Sequence, residues 1–386
     1  MRPFTRALFV ENLETRRLLA GNVTASLSGS DLIVTGDVQP NAISIESDGA
    51  GGLRVLGFND ATGQPTSING TPNGAFTAPS FNGNVFVAMN EGNDDVRLTR
   101  ADLPGLARVD LGIGNDSLVA GLQAANETRF GTSPARRLGV NGDLVVLGGA
   151  GNDNIRLQSV YIAGSAVIDS GDNNDTITLL PAVGGNSLEQ TSGRIDVGGT
   201  MTIVPGNGAD IVNVNALSAG RDFVLDDSQG ALTANLNGFR TGGSTFIYGT
   251  PEADAIDIRD ARVTALLQVI SESGDDQIDI TASRTGNLNI NSGWGNDIVN
   301  VVNVTTPRSD IQLDLGNDRL TLRDVAIERL FAFGNEGDDV FNLRGGQIGE
   351  ANFFGDGGSD ALQTTLAEPT TIGTLNTFSI ERRRTV

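Results

Sequence analysis

Cysteine, histidine and lysine are all missing from this 386-residue chain, in which every one of the 26 basic residues is Arg. Without Cys there is no disulfide, no thiol catalysis and no thiolate metal site. Without His there is no Ser-His-Asp triad and no imidazole ligand for zinc, copper or iron. The lack of Cys is compatible with any compartment. Aromatic side chains are scarce, with one Trp and two Tyr, so a sugar platform built of exposed rings would rest on Trp294, Tyr161 and Tyr248 alone. No apolar run approaches the roughly 20 residues needed to cross a bilayer as a helix, and no membrane span is expected. Residues 1–21 are mildly apolar, but Glu11, Asn12 and Glu14 interrupt them, a poor match to a secretory signal. Basic charge is outweighed: 47 acidic residues leave a net charge of −21. Nucleic acid and anionic lipid are repelled by that balance, which leaves hard cations as natural partners.

What is abundant is glycine, 51 residues of it, with Asn, Asp and Thr between short aliphatic runs. A chain so polar could be disordered, but the aliphatics alternate, as in Ile256-Asp257-Ile258 and Ile278-Asp279-Ile280. Alternation at period two is the mark of a strand with one face buried. The runs also repeat. Aligning each segment on an Asp followed two residues later by an aliphatic or Phe selects Asp94, Asp116, Asp153, Asp175, Asp210, Asp254, Asp276, Asp297, Asp318, Asp339 and Asp360. The period is 21 or 22 residues. Two longer gaps are explained by insertions near 121–137 and 181–194, and a double gap spans an eroded copy at Gly230–Leu236 that has lost its Asp.

In each copy an alternating strand runs into a turn, which reads Gly-Asn-Asp at 114–116, 151–153, 295–297 and 316–318 and Gly-Asp-Asp at 274–276 and 337–339, and a second strand follows. A repeat of that length is too short for a strand-helix-strand unit. It suits short strands with tight bends, stacked so that equivalent strands lie parallel about 4.8 Å apart over a continuous apolar interior. The expected fold is an all-β, right-handed parallel β-helix of roughly fourteen coils. Residues 22–92 keep the pattern weakly and read as an irregular N-terminal cap with first coils, 93–365 as the solenoid, and 366–386 as a C-terminal cap and tail. Within that tail Glu381–Arg384 reads as a solvated charged segment.

Stacking places the repeated Asp residues in a row along one edge. Carboxylates about 5 Å apart repel by about 3 kcal/mol at an effective dielectric near 20, and Asp257 and Asp279 add a second acidic line. A bound cation relieves this, and calcium, which takes six to eight oxygens, suits turns offering both carboxylates and carbonyls. Stacked Gly-Asn-Asp turns also cap their own backbone well without an ion. The segment Gly148-Gly149-Ala150-Gly151-Asn152-Asp153-Asn154-Ile155-Arg156 resembles the hemolysin-type (RTX) calcium-binding nonapeptide, Gly-Gly-x-Gly-x-Asp-x-aliphatic-x. Ser292–Asp297 and Gly355–Asp360 are variants of it. That family strings its nonapeptides in tandem, whereas here the motif comes once per repeat. The resemblance implies calcium held by Asp153 with backbone carbonyls such as those of Gly149 and Gly151, and equivalent sites at Asp94, Asp116, Asp175, Asp254, Asp276, Asp297, Asp318, Asp339 and Asp360.

Val10-Glu11-Asn12-Leu13-Glu14-Thr15-Arg16-Arg17-Leu18-Leu19-Ala20-Gly21 resembles the LEPR-XLL leader of large exported bacterial repeat proteins, with Thr15 in place of the usual Pro. It implies a leader or sorting segment over 1–21 and an extracellular or cell-surface location. The alternative for these residues is an amphipathic helix capping the first coil. The expected function is a noncatalytic, calcium-binding structural or adhesive solenoid, with surface polysaccharide or other surface proteins as partners. The competing class is a polysaccharide-active enzyme, for which the Arg-rich insertion at Arg129, Arg136 and Arg137 is the best location. A third is carbohydrate binding through Trp294.

Overall fold

The structure, a computed structural model, describes residues 21–121, 138–181 and 194–385. The leader motif up to Ala20, and Arg129, Arg136 and Arg137, lie outside the described residues. The chain winds into a parallel β-solenoid of about 12 turns, a stack about 55 Å long at the usual strand spacing.

Each coil is made by the alternation seen in the sequence. In the outgoing strand Gln277–Thr281, Ile278 and Ile280 are fully buried and Asp279 faces outward. Outgoing strands pair in parallel and in register along the rod, Ile256 with Ile278, Ile278 with Val299, Val299 with Leu320. Incoming strands form the opposite sheet, Leu144–Ala150 beside Ala166–Asp172. The aliphatic faces of the two sheets meet in one continuous core from Val23 to Leu362. The turn that carries the Gly-Asn-Asp motif or its variants joins incoming to outgoing strand.

The number of strands per coil changes along the rod. In the earlier coils a short return strand, such as Val160–Ile162 or Leu217–Ala219, precedes the incoming strand, giving three segments. From Arg262 onward the two fuse into single bent strands, Arg262–Ile270, Arg284–Asn291, Thr305–Gln312, Ala326–Phe333 and Gln347–Phe354. Both insertions leave from the same corner, after the outgoing strands Ser117–Gly121 and Thr176–Leu180.

The coil number is lower than fourteen because the amino-terminal region does not coil throughout. Asn22–Ser28 pairs antiparallel with Asp31–Thr35. Ala42–Ser47, Leu53–Gly57 and Ala75–Ala78 form an antiparallel meander, which turns the first edge of the outgoing sheet back on itself and shields it from pairing. At the other end Thr371–Phe378 continues the incoming sheet. The Glu381–Arg384 segment, read as a solvated charged tail, has exposed side chains, and its backbone supplies most of the last outgoing strand, Arg382–Thr385. Phe333, Phe354 and Phe378 stack at 4.7 Å intervals up the outer face of these last coils.

Candidate functional site

The turns are built from two side-chain ladders of opposite direction. On the inside, the Asp of each coil accepts a hydrogen bond through Oδ1 from the backbone N–H of the Asp one coil earlier. Asp116 N–H donates to Asp153 at 2.8 Å, Asp153 to Asp175 at 2.7 Å, Asp276 to Asp297 at 2.8 Å and Asp297 to Asp318 at 2.7 Å. The first rung uses the Asn41 N–H on Asp94 (2.7 Å), and the last uses Glu381, which accepts from Asp360 (2.7 Å). On the outside, the preceding Asn works the other way. Asn115 Oδ1 accepts from Asn152 N–H of the following coil at 2.7 Å, and Asn296 accepts from Asn317 at 3.0 Å. Glycine makes this stacking feasible: Gly151 has φ +133°, and a Cβ there would lie 1.6 Å from the Gly114 carbonyl oxygen below it.

The ladder aspartates do not line a solvated edge. All of them, from Asp94 to Asp360, are between 0 and 3% exposed, because each is in phase with the core aliphatics of its outgoing strand. Asp153, Ile155 and Leu157 share one face, whereas Asp257 and Asp279 lie out of phase, half-buried on the outer face. Burial is the main cause that pushes their carboxyls up: to about 8 at Asp94, to about 7 at Asp153, Asp175, Asp276 and Asp318, and to about 6 at Asp116, Asp254 and Asp339. Asp210, Asp297 and Asp360 are raised for the same reason. The backbone hydrogen bond opposes this at each rung, and the neighbouring carboxylates above and below add to it at Asp153 and Asp318.

The second carboxylate oxygen, Oδ2, is the unusual atom. It is buried and has no hydrogen-bond partner at Asp94, Asp116, Asp153, Asp175, Asp210, Asp276, Asp297, Asp318, Asp339 and Asp360. It faces the last residue of the incoming arm and a carbonyl of the next coil. A Cβ on Gly148 would meet both Asp153 Oδ2 at 2.5 Å and the Ser170 carbonyl oxygen at 2.3 Å, and one on Gly355 would meet Asp360 Oδ2 at 2.1 Å and Ser379 O at 2.2 Å. Ser170, Ser271 and Ser292 occupy the same place in other coils, beside Asp175, Asp276 and Asp297. Their single protons go elsewhere, Ser170 to the Pro205 carbonyl at 2.8 Å and Ser271 to that of Ser292 at 2.9 Å. Acceptor oxygens thus face one another, an arrangement that a proton, a bridging water or a cation between them would relieve.

These donors are all oxygen, which fits calcium. Among the described residues no group of three or more His, Cys, Asp or Glu is gathered around one point, so an ion would draw the rest of its shell from carbonyls of Gly-containing turns such as Gly149 and Gly151. Asp254 stands apart from the other expected sites. Its Oδ2 accepts from Thr250 N–H at 2.8 Å and its Oδ1 from Leu232 N–H and the Thr250 hydroxyl, so both oxygens are satisfied within the protein.

One carboxyl escaped the repeat alignment. The copy with Leu232 in place of Asp does hold an inward acid, Asp227, 4% exposed and raised to about 8 by burial first and by Asp210 second. Asp227 sits where Gly148, Ser170 and Gly249 sit in their own coils. Elsewhere that place holds Leu111 opposite Asp116, or Leu313 opposite Asp318. Here the pair is exchanged, with Asp on the incoming arm and Leu on the outgoing one. The rung is lost all the same, and Asp210 N–H turns to the Ala231 carbonyl at 3.1 Å. The signal was present in the sequence as Phe223-Val224-Leu225-Asp226-Asp227, where Asp227 is in phase with two core residues. Leu232→Asp alone is expected to crowd two carboxyls into one turn and cost about 2–4 kcal/mol. Adding Asp227→Leu should recover most of that loss in urea melts, and a double variant no more stable than Leu232→Asp alone would disprove the exchange.

Trp294 is 65% exposed at the turn edge, beside Ser273 and Leu315 of the adjacent coils. No helix of the described residues is long and apolar enough to cross a membrane. No family model, curated protein or solved structure matches the chain.

Proposed function

We propose that this chain is a noncatalytic structural rod of an exported, surface-associated repeat protein, and that calcium bound along its inner ladder holds the coils together. The observation that carries the reading is the choice of residue on the two ladders. On the outer ladder the chain uses Asn93, Asn115, Asn152, Asn174, Asn296 and Asn317 but also Asp275 and Asp338, and in other coils Ser359, Ala209, Ala231 and Ala253, so that position tolerates wide variation. On the inner ladder it keeps Asp in every coil from Asp94 to Asp360, moving it to Asp227 in the one coil where it is displaced. Asn would fit the inner position better if hydrogen bonding were its only task. Its Oδ1 would accept from the backbone and its amide would donate to the facing carbonyls. Retaining a costly buried carboxyl instead makes sense where the negative charge is used. The even spread of these acids along the rod, rather than their collection at one cleft, supports a structural role over a catalytic one.

Calorimetric titration of calcium into chelator-treated protein at pH 8 tests this, with magnesium as the control. Saturable uptake is expected, and Asp153→Asn should reduce the amount bound while leaving the melting point in chelator unchanged or higher. A flat calcium titration would defeat the calcium reading.

A further inference from the structure

On the return corner of the coils, three arginines stand one above another. Arg240 pairs in register with Arg262, and Arg262 with Arg284, on adjacent parallel strands, so their guanidinium stems rise at about 4.8 Å intervals. All three are exposed. Several other strand arginines pair with an Asp two residues away, as in Arg97–Asp95, Arg259–Asp257 and Arg308–Asp310. The three stacked arginines have Gly242, Thr264 and Gly286 at the equivalent place, and among the described residues none of them makes an ion pair. In a chain with 47 acidic residues against 26 basic ones, a row left unpaired in this way is a concentration of free positive charge. Arg262 does have an acid two residues before it, Asp260, but that residue lies on the bend with φ +46° and makes no ion pair with it.

The row opens into a groove. Where the fused strands bend, the last coils enclose a trough of about 1000 Å³ that runs parallel to the rod axis from Arg262 to Thr371, about 24 Å at one strand spacing per coil. Arg262 and Arg284 form one wall at its head, continued by Thr305 and Gln347. Its floor is the buried column that includes Val263 and Ile327, and Glu328 is the one acidic residue in its lining.

We propose that this groove binds a linear acidic polysaccharide, with successive carboxylate or sulfate groups on Arg240, Arg262 and Arg284 and sugar hydroxyls on the Thr and Gln wall. A guanidinium offers paired N–H donors that match a carboxylate or sulfate. The coil spacing is close to the advance of one sugar unit, so an extended chain along the axis meets an equivalent group at each coil. Single-stranded nucleic acid is the less favoured polyanion, because no aromatic side chain lines the groove to stack a base. The proposal rests on the fold and the arginine row, and calcium has no part in it.

Fluorescence anisotropy of labelled polygalacturonate oligomers, measured with the full chain in chelator, tests the groove independently of calcium. Binding that weakens as salt rises is expected. The triple variant Arg240→Gln, Arg262→Gln, Arg284→Gln should weaken it at least tenfold, with the three Lys replacements intermediate. Arg97→Gln with Arg108→Gln, on the strands Asp95–Leu98 and Ala107–Ile113 several coils before the row, should leave it nearly unchanged. Thr305→Arg, which lengthens the row by one coil, should tighten it several-fold. Absence of binding by the unaltered protein, equal binding by the triple Gln variant, or comparable binding of an unlabelled oligothymidylate competitor would each overturn the proposal.

Discussion

Melted at pH 8 in excess chelator, the protein is expected to unfold at least about 10 °C below its midpoint in millimolar calcium, and the difference should close as the pH falls toward 5. The reason lies in the sign of the ladder's titration. The carboxyls of Asp94, Asp153, Asp175, Asp227, Asp276 and Asp318 are raised from 3.8 to about 7 or 8. A carboxyl raised in the folded state contributes stability in its protonated form. That contribution is complete below the unfolded value and is lost as the pH rises through the folded one, so the loss falls between about pH 4 and pH 8. Each unit is worth about 1.4 kcal/mol. Ionising the whole ladder without counter-charge would exceed the about 5–15 kcal/mol by which a domain is stable. On the proposed reading, protons lie between the facing oxygens at low pH and calcium would take their place at high pH. A melting point that falls with pH identically in calcium and in chelator would leave protons as the only occupant.

The largest single-site loss is expected at Gly316. Its φ is +149°, and a Cβ there would stand 1.6 Å from the carbonyl oxygen of Gly295 in the coil below and 3.1 Å from Asp318 Oδ1. Both obstacles belong to the stacked turns, so neither can rotate away. Gly316→Ala must either separate two coils or displace the rung between Asp297 and Asp318, and about 4 kcal/mol or more is expected. Because each coil touches only its neighbours, the damage should stay local. The expected signs are an added low-temperature step in the melt and new protease cleavage near residues 314–318. Gly357→Ala is the matched control, since its nearest non-bonded atoms would be 3.6 Å away. Equal stability of the two variants would refute the contact argument.

The solenoid could be read from the sequence because its defining signals are local or strictly periodic: alternating aliphatics, a glycine-bearing turn, and one Asp per 21 or 22 residues. The direction of the Asp side chain could be read as well, since an Asp two residues before a buried Ile points the same way as that Ile. Treating Asp153 as part of a turn placed it on an edge of the rod, whereas the strand's period places it inside. Asp227 was missed because the alignment required the acid on the outgoing arm, and only the packing shows that the incoming arm reaches the same space. The amino-terminal meander was not legible, since Ala42–Ser47 alternates like any coil strand and its antiparallel partner is set by the chain's later path. Arg240, Arg262 and Arg284 showed their regular spacing in the sequence, but their lack of acidic partners appears only when strands are in register.

The two hydrogen-bond ladders also make the coil a portable unit. A coil inserted where both ladders run, as between those of Asp276 and Asp360, receives one inner bond and gives one, and does the same on the outside in the reverse sense. Its only obligations are a glycine at the crowded step and one inward carboxyl, and the Asp227–Leu232 pair shows that either arm can supply the latter. Such a rod can lengthen or shorten by duplication or deletion of a single 21-residue segment, with no change demanded of the coils on either side.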